Sequence, residues 1–262
     1  MAELEHSQKP EGATGVTLSV VTATYNAASV LPGLIKSLQA QTDPDFEWVV
    51  ADGGSTDGTL ELLAEAAKTM RVRVDSRPDF GIYDALNRAV KLAEGDYYLV
   101  IGADDELFFD AIRKYKVACA ESRADLITAK VEIDKKITSI RKYRWEWLYG
   151  QFAYVSIHAV GLVIRRNLHY TIGYYTRKLP IAADELFILE AVHSGAIVYE
   201  RDFVAGRFSK GGLSGTDSLG SLIESYRARV IAGQNLIGQT FLLALRIIKN
   251  YNKLLNRKDK NF

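Results

Sequence analysis

The chain has 262 residues, 48% hydrophobic, 10% aromatic and 25% charged, and 33 Lys plus Arg nearly balance 32 Asp plus Glu, giving a formal charge of +1. This composition suits a globular chain with one large core or two modest ones and excludes disordered, collagen-like and coiled-coil classes. The even charge balance excludes a general nucleic-acid binder, so no nucleic-acid partner is expected.

Residues 1–15 are polar, lack the apolar segment of a signal peptide, and read as a flexible tail. Strands are predicted at 17–24, 46–51, 72–74 and 97–101 from short β-branched and aromatic runs, alternating with helices at 29–40, 60–68 and 82–93. Strands and helices alternating at this spacing imply βαβ crossovers and a doubly wound, mostly parallel α/β sheet. The polar loops follow strand carboxyl ends, where open α/β sheets bind ligands. Beyond residue 112 the pattern is less regular, with a helix to 120, strands at 126–133, 158–165 and 196–201, and a helix at 184–193. The expected organisation is a domain over 16–220, in halves 16–110 and 111–220, and a basic amphipathic helical extension over 221–262.

A single cysteine, Cys119, can neither close an internal disulfide nor build a thiolate metal site. That fits a reducing compartment and leaves oxygen and histidine as metal donors. Thr24, Tyr25 and Asn26 follow the first strand and Asp52 ends the second, so a carboxylate, an amide and hydroxyls should meet on one sheet edge, as a base or ribose requires. Ser55, Asp57 and Thr59 fit turn and capping roles. Asp84 and Asn87 stand three apart near a helix start, where capping and ligand contact are both open, and their closeness to the Asp-Asp loop favours contact.

The sharpest signal is Asp104-Asp105 at the end of the apolar strand YYLVIG. Adjacent carboxylates repel unless water, a cation or hydrogen-bond donors compensate. Mg²⁺ or Mn²⁺ does so naturally, because each takes oxygen ligands, often one or two carboxylates together with substrate phosphates. A solvated acidic turn is the alternative.

Taken in order, TATYNA, VVADGGSTDGT, DFGIYDALNRAV, EGDYYLVIGADD and IAADELFIL resemble a family 2 glycosyltransferase of the GT-A fold over residues 16–215. The resemblance implies that Thr24, Tyr25 and Asp52 meet the nucleoside, that Asp104 and Asp105 form the DxD-type element, and that Asp105 is the main protein ligand of the metal on the donor diphosphate. Ala103 takes the first place of that element, Ala23 stands where a proline is frequent, and Gly53 where a second aspartate is frequent. Asp184 matches the catalytic base, with Ala183 where relatives often carry glutamate and Glu185 as the neighbouring alternative; helix capping is the competing role. A histidine corresponding to His158 often approaches donor or metal in such enzymes, whereas a lone histidine otherwise sits at a core edge. Arg207, Lys210 and Ser214, flanking or within a Gly-Gly run, resemble a loop closing over the diphosphate, with an ordinary linker as the other reading. Trp145, Trp147, Tyr149 and Tyr154 offer either a stacking surface for an acceptor sugar or core packing.

The implied activity is inverting transfer of a sugar from a nucleotide diphosphate sugar, a UDP-sugar by preference, to an acceptor hydroxyl on a glycan or lipid-linked acceptor of the cell surface. A sugar-phosphate nucleotidyltransferase and a catalytically silent scaffold are the rivals. Residues 221–262 hold eight Lys or Arg against two acids, a net +6, which leaves −5 on the rest. Ile237, Phe241, Leu245, Ile248 and Leu255 share one helical face, and Arg246, Lys249, Lys253 and Arg257 gather opposite. Such a helix suits an anionic membrane surface, the body of the protein or a second copy in a homo-oligomer. The expected location is cytoplasmic, peripheral on the inner face of the membrane.

Overall fold

The computed structural model describes residues 15–138, 145–156, 158–208 and 217–251. Strands β1 (Leu18–Thr24), β2 (Glu47–Asp52), β3 (Val72–Ser76) and β4 (Tyr97–Val100) alternate with helices α1 (Leu31–Gln39), α2 (Thr59–Ala66) and α3 (Ile82–Leu92). The second half adds β5 (Glu106–Leu107), α4 (Ala111–Ser122), β6 (Leu126–Ile133), β7 (Lys136–Ile137), α5 (Glu146–Tyr149), β8 (Leu162–Arg165), α6 (Leu168–Ile172), α7 (Ala183–His193) and β9 (Val198–Phe208). Two helices, α8 (Ser218–Ile231) and α9 (Leu236–Lys249), complete the described chain.

The strands form one sheet in the order β3-β2-β1-β4-β8-β6-β9-β5, with β7 beside β6. Strands β1 to β4 run parallel. β8 is antiparallel to both β4 and β6, which restores the first direction in β6 and in its parallel neighbour β9. The mixed, mostly parallel α/β sheet expected from the sequence is therefore present.

Alternation along buried strands supplies two cores, one on each sheet face. Val20, Trp48, Val50 and Leu99 pack with Leu31, Leu34, Leu38, Leu63 and Ile112 on one side. Val21, Val49, Ala51 and Tyr98 pack with Leu86, Val90, Leu186 and Phe187 on the other. The Trp48 indole, fully buried, donates to Thr22 Oγ1 at 3.0 Å, so its polar edge is satisfied inside.

The region expected as a strand over 158–165 is a short 3₁₀ turn, residues 159–161, leading into β8. His158 caps that turn by accepting from the Val160 amide, and Gly161 lies so close to β6 that a Cβ would stand 2.7 Å from the Ala129 carbonyl oxygen. Among the described residues the carboxyl-terminal extension is two helices, because Gly233 takes a left-handed φ of 92° and Asn235 starts a new helix by accepting from the Gly238 amide.

Candidate functional site

Parallel strands deliver their carboxyl ends to the same edge, and a cavity of about 1110 Å³ opens there. Its walls take Thr24, Tyr25 and Asn26 from the end of β1, Tyr83 from α3, Asp104 and Asp105 after β4, His158 before β8, and Asp184 on α7. Residues from both sequence halves thus line one space. A second cavity of about 430 Å³, lined by Asp96, Arg165 and Arg166, involves the amino end of β4 and none of these groups.

Asp105 is almost wholly buried, and its Oδ2 accepts from the Gly102 amide at 3.0 Å. Gly102 is required by close approach: a Cβ there would lie 2.8 Å from Asp105 Oδ2 and 3.0 Å from Asp104 Oδ1. His158 Nδ1 stands 3.9 Å from Asp105 Oδ2. Burial holds the imidazole down to about pKa 4, so it is neutral near pH 7, with its Nδ1 accepting from the Val160 amide. The Asp105 carboxylate is the donor here that suits Mn²⁺ or Mg²⁺. Among the described residues no cluster of three or more His, Cys, Asp or Glu side chains forms a complete cation cage. A cation on Asp105 would take its remaining ligands from a substrate diphosphate and water.

Asp184 begins α7, and the Tyr83 hydroxyl donates to its Oδ1 at 2.7 Å, with the Ile181 carbonyl oxygen 2.9 Å from the same hydroxyl. Burial raises the Asp184 pKa above the ordinary carboxylate range, against the lowering effect of the Tyr83 bond. A raised pKa makes this carboxylate a stronger proton acceptor than a solvated aspartate. Behind it, buried Glu224 of α8 accepts from the Ile181 and Ala182 amides at 2.7 and 3.1 Å, fixing the turn that presents Asp184. Ser221 and Ser225 of α8 join the cavity wall, as do Gln151 and Phe152.

Glu185 reaches the cavity wall, but its Oε1 lies 2.7 Å from Arg229 Nε in an ion pair with both side chains 4% exposed. Gly150, at φ 58°, gives the pair its space, since a Cβ would stand 2.2 Å from Glu185 Oε1. Removing the cation strands a buried carboxylate, so Arg229→Met is expected to cost about 3–5 kcal/mol in urea unfolding. Arg229→Met combined with Glu185→Leu is expected to recover most of that loss.

Several candidates do other work. Asp52 is fully buried and accepts from Thr24 Oγ1, Ser76 Oγ, Ser55 Oγ and the Gly54 and Ser55 amides. Burial pushes its carboxyl up, but the donors from Ser55, Ser76 and Thr24 outweigh it and hold the pKa below the usual range. Asp52 thus organises the loop between β2 and α2 and does not line the cavity. Asn26 is shared between roles: it lines the cavity at a left-handed φ of 48° while its Oδ1 accepts from the Thr56 amide.

Asn87 bonds both backbone groups of Tyr175, at 2.7 and 2.9 Å, and Asp84 lies 3.5 Å from Arg177; neither lines the cavity. Arg207 pairs with Glu132 at 2.7 Å and Glu106 at 3.3 Å beside the rim. Lys210 and Ser214 lie outside the described residues. Trp145 and Trp147 are exposed, and Tyr154 bonds Glu146, so Phe152 is the aromatic of that region that reaches the cavity. Cys119 is buried, its thiol pushed up to about 12 by burial, and inert as a nucleophile.

A sheet of this order, with carboxylates gathered at the carboxyl edge of its parallel strands, is the layout of an α/β protein that binds a ligand at that edge. Comparison with known proteins makes the assignment particular. Glycosyl transferase family 2 matches residues 19–178, and the chain belongs to that family.

A PGL/p-HBAD biosynthesis glycosyltransferase of Mycobacterium tuberculosis is 34% identical over 207 residues, covering 76% of this chain and 79% of that protein. Among solved structures, residues 1–349 of S. aureus TarS superpose with a TM-score of 0.65 at 20% identity, covering 90% of this chain and 72% of that one. The mannosyltransferase PcManGT from Pyrobaculum calidifontis, in complex with GDP-Man and Mn²⁺, gives 0.67 at 17% identity, covering 87% and 68%. At these identities the two structures establish the shared fold.

Proposed function

We propose that this glycosyltransferase moves a sugar from a nucleotide diphosphate sugar, a UDP-sugar by preference, to an acceptor hydroxyl in a cell-surface glycan or glycolipid, with inversion at the anomeric carbon. The observation that carries the proposal is the convergence of Asp105 with His158 from one side, and Asp184 from the other, on a single cavity. Relatives lend support: S. aureus TarS has been seen with UDP-GlcNAc, PcManGT with GDP-Man and Mn²⁺, and a mycobacterial relative is named for PGL/p-HBAD biosynthesis.

In this reading Tyr25 and Asn26 flank the nucleoside and Asp104 holds sugar or ribose hydroxyls. Asp105, with His158 beside it, would hold a divalent cation, which would supply positive charge against the negative charge growing on the leaving diphosphate. Asp184 takes the acceptor proton as the hydroxyl oxygen attacks the anomeric carbon from the face opposite the diphosphate. Tyr83 and Glu224 hold Asp184 in place, and alignment of donor with acceptor supplies a large share of the rate.

The test uses the full chain with a panel of nucleotide sugars. Slow release of nucleoside diphosphate that depends on Mn²⁺ or Mg²⁺ is expected. Pyrophosphate released from a nucleoside triphosphate and a sugar phosphate would replace this reading with nucleotidyl transfer, and neither product would leave a silent binding subunit.

A further inference from the structure

The face that α9 turns to solvent is its apolar one. Ile237, Phe241, Leu245 and Ile248 are 80, 64, 45 and 70% exposed and recur as one helical stripe, which Tyr251 continues. The side that packs on the body carries buried Leu242 together with Gln239 and Arg246. Buried Gln239 donates to the Trp147 carbonyl at 2.6 Å, and Arg246 donates to the Leu148 carbonyl. A helix packed this way commits its amide and guanidinium to the body and leaves isoleucine and phenylalanine in water, an arrangement that marks a surface with a partner.

Charge selects the partner. Lys249 borders the stripe, and the sequence continues with Lys253, Arg257, Lys258 and Lys260 against one acid, Asp259. A second copy would bring another Lys249 to the border of the stripe and another net-basic sequence after it, whereas an anionic bilayer offers negative headgroups above an apolar interior. No described helix is long and apolar enough to cross a membrane, so the fit is to the surface.

We propose that α9 lies in the boundary between headgroups and acyl chains of an anionic bilayer, with its apolar stripe facing the lipid. Helix α9 packs on α8, and α8 lends Ser221 and Ser225 to the cavity. The substrate class that fits a transferase docked in this way is a hydroxyl carried on a lipid. That last step rests on the transferase reading above; the docking does not.

The test is flotation of the full chain with vesicles of phosphatidylcholine alone or mixed with phosphatidylglycerol. Binding to the mixed vesicles is expected to exceed binding to neutral ones by about tenfold or more and to fall as salt rises, since each basic side chain at an anionic surface is worth about fivefold in partitioning. Phe241→Glu with Ile248→Glu is expected to abolish flotation while circular dichroism and nucleoside diphosphate release from a soluble donor stay unchanged. Equal flotation of that variant, or none by the wild type, overturns the docking. So does a stable dimer that the variant dissolves without any vesicle binding. A chain that floats but turns over no donor keeps the docking and removes the lipid-borne acceptor.

Discussion

Asp184→Asn is expected to lower sugar transfer by about 10³-fold, within the range that a positioned general base contributes, while nucleotide-sugar affinity stays within about twofold of wild type. The amide keeps an oxygen for the Tyr83 hydroxyl, which lies 2.7 Å from Asp184 Oδ1, so the geometry survives and only proton acceptance is lost. Initial rates set against equilibrium titration with donor separate the two effects. Full turnover by the variant would reject Asp184 as the base.

The same substitution is expected to raise thermal stability. The folded pKa of Asp184 lies above its unfolded value, with burial the largest cause. Stability from its protonated form is therefore full below the unfolded pKa and lost as pH rises through the folded one. Asparagine does not ionise, so the two chains should melt alike in acid and diverge toward neutral pH, where the variant gains about 1 kcal/mol, a common return when a functional strain is removed. The rate in wild type should fall with decreasing pH through the raised pKa, because the protonated carboxyl accepts no proton.

Asp105→Ala is expected to abolish metal-dependent donor binding and to reduce transfer by about 10³-fold or more, since charge compensation at a leaving diphosphate is worth several kcal/mol. Asp105→Asn keeps an acceptor for the Gly102 amide, at 3.0 Å in wild type, and isolates the loss of charge from the loss of loop structure. Thermal shift with UDP-sugar, with and without Mn²⁺, reads binding directly: the wild type should gain stability only with both present and neither variant should. A metal-dependent shift retained by Asp105→Asn would move the cation to other residues. Together the two positions predict a clean division, with binding lost at Asp105 and chemistry lost at Asp184.

Local signals carried the fold a long way. The βαβ rhythm of the first hundred residues was legible because buried parallel strands are short apolar runs and the helices between them show 3.6-residue spacing. The strand YYLVI ends at Gly-Ala-Asp-Asp, so the Asp104–Asp105 pair could be marked from its neighbours, whereas Asp184 in AADEL was marked by the family resemblance. β9 was harder: residues 202–208, DFVAGRF, mix charge and small residues because the strand continues toward the sheet margin, where β5 is its partner.

Tertiary structure alone decided which polar groups share a space. Asp52, Asp84 and Asn87 stand in loops and helix starts that sequence places correctly, yet facing is set by packing, and the fold engages them with Ser55, Arg177 and the Tyr175 backbone. Tyr83 lies 101 residues from Asp184, and Glu224 more than 40 from the amides it accepts. No periodic pattern encodes such pairs. The apolar stripe of α9 was readable as a stripe, but whether it faces core or solvent depends on Leu242 packing on the body and on Gln239 and Arg246 finding carbonyls on α5, contacts across some 90 residues that only the folded chain creates.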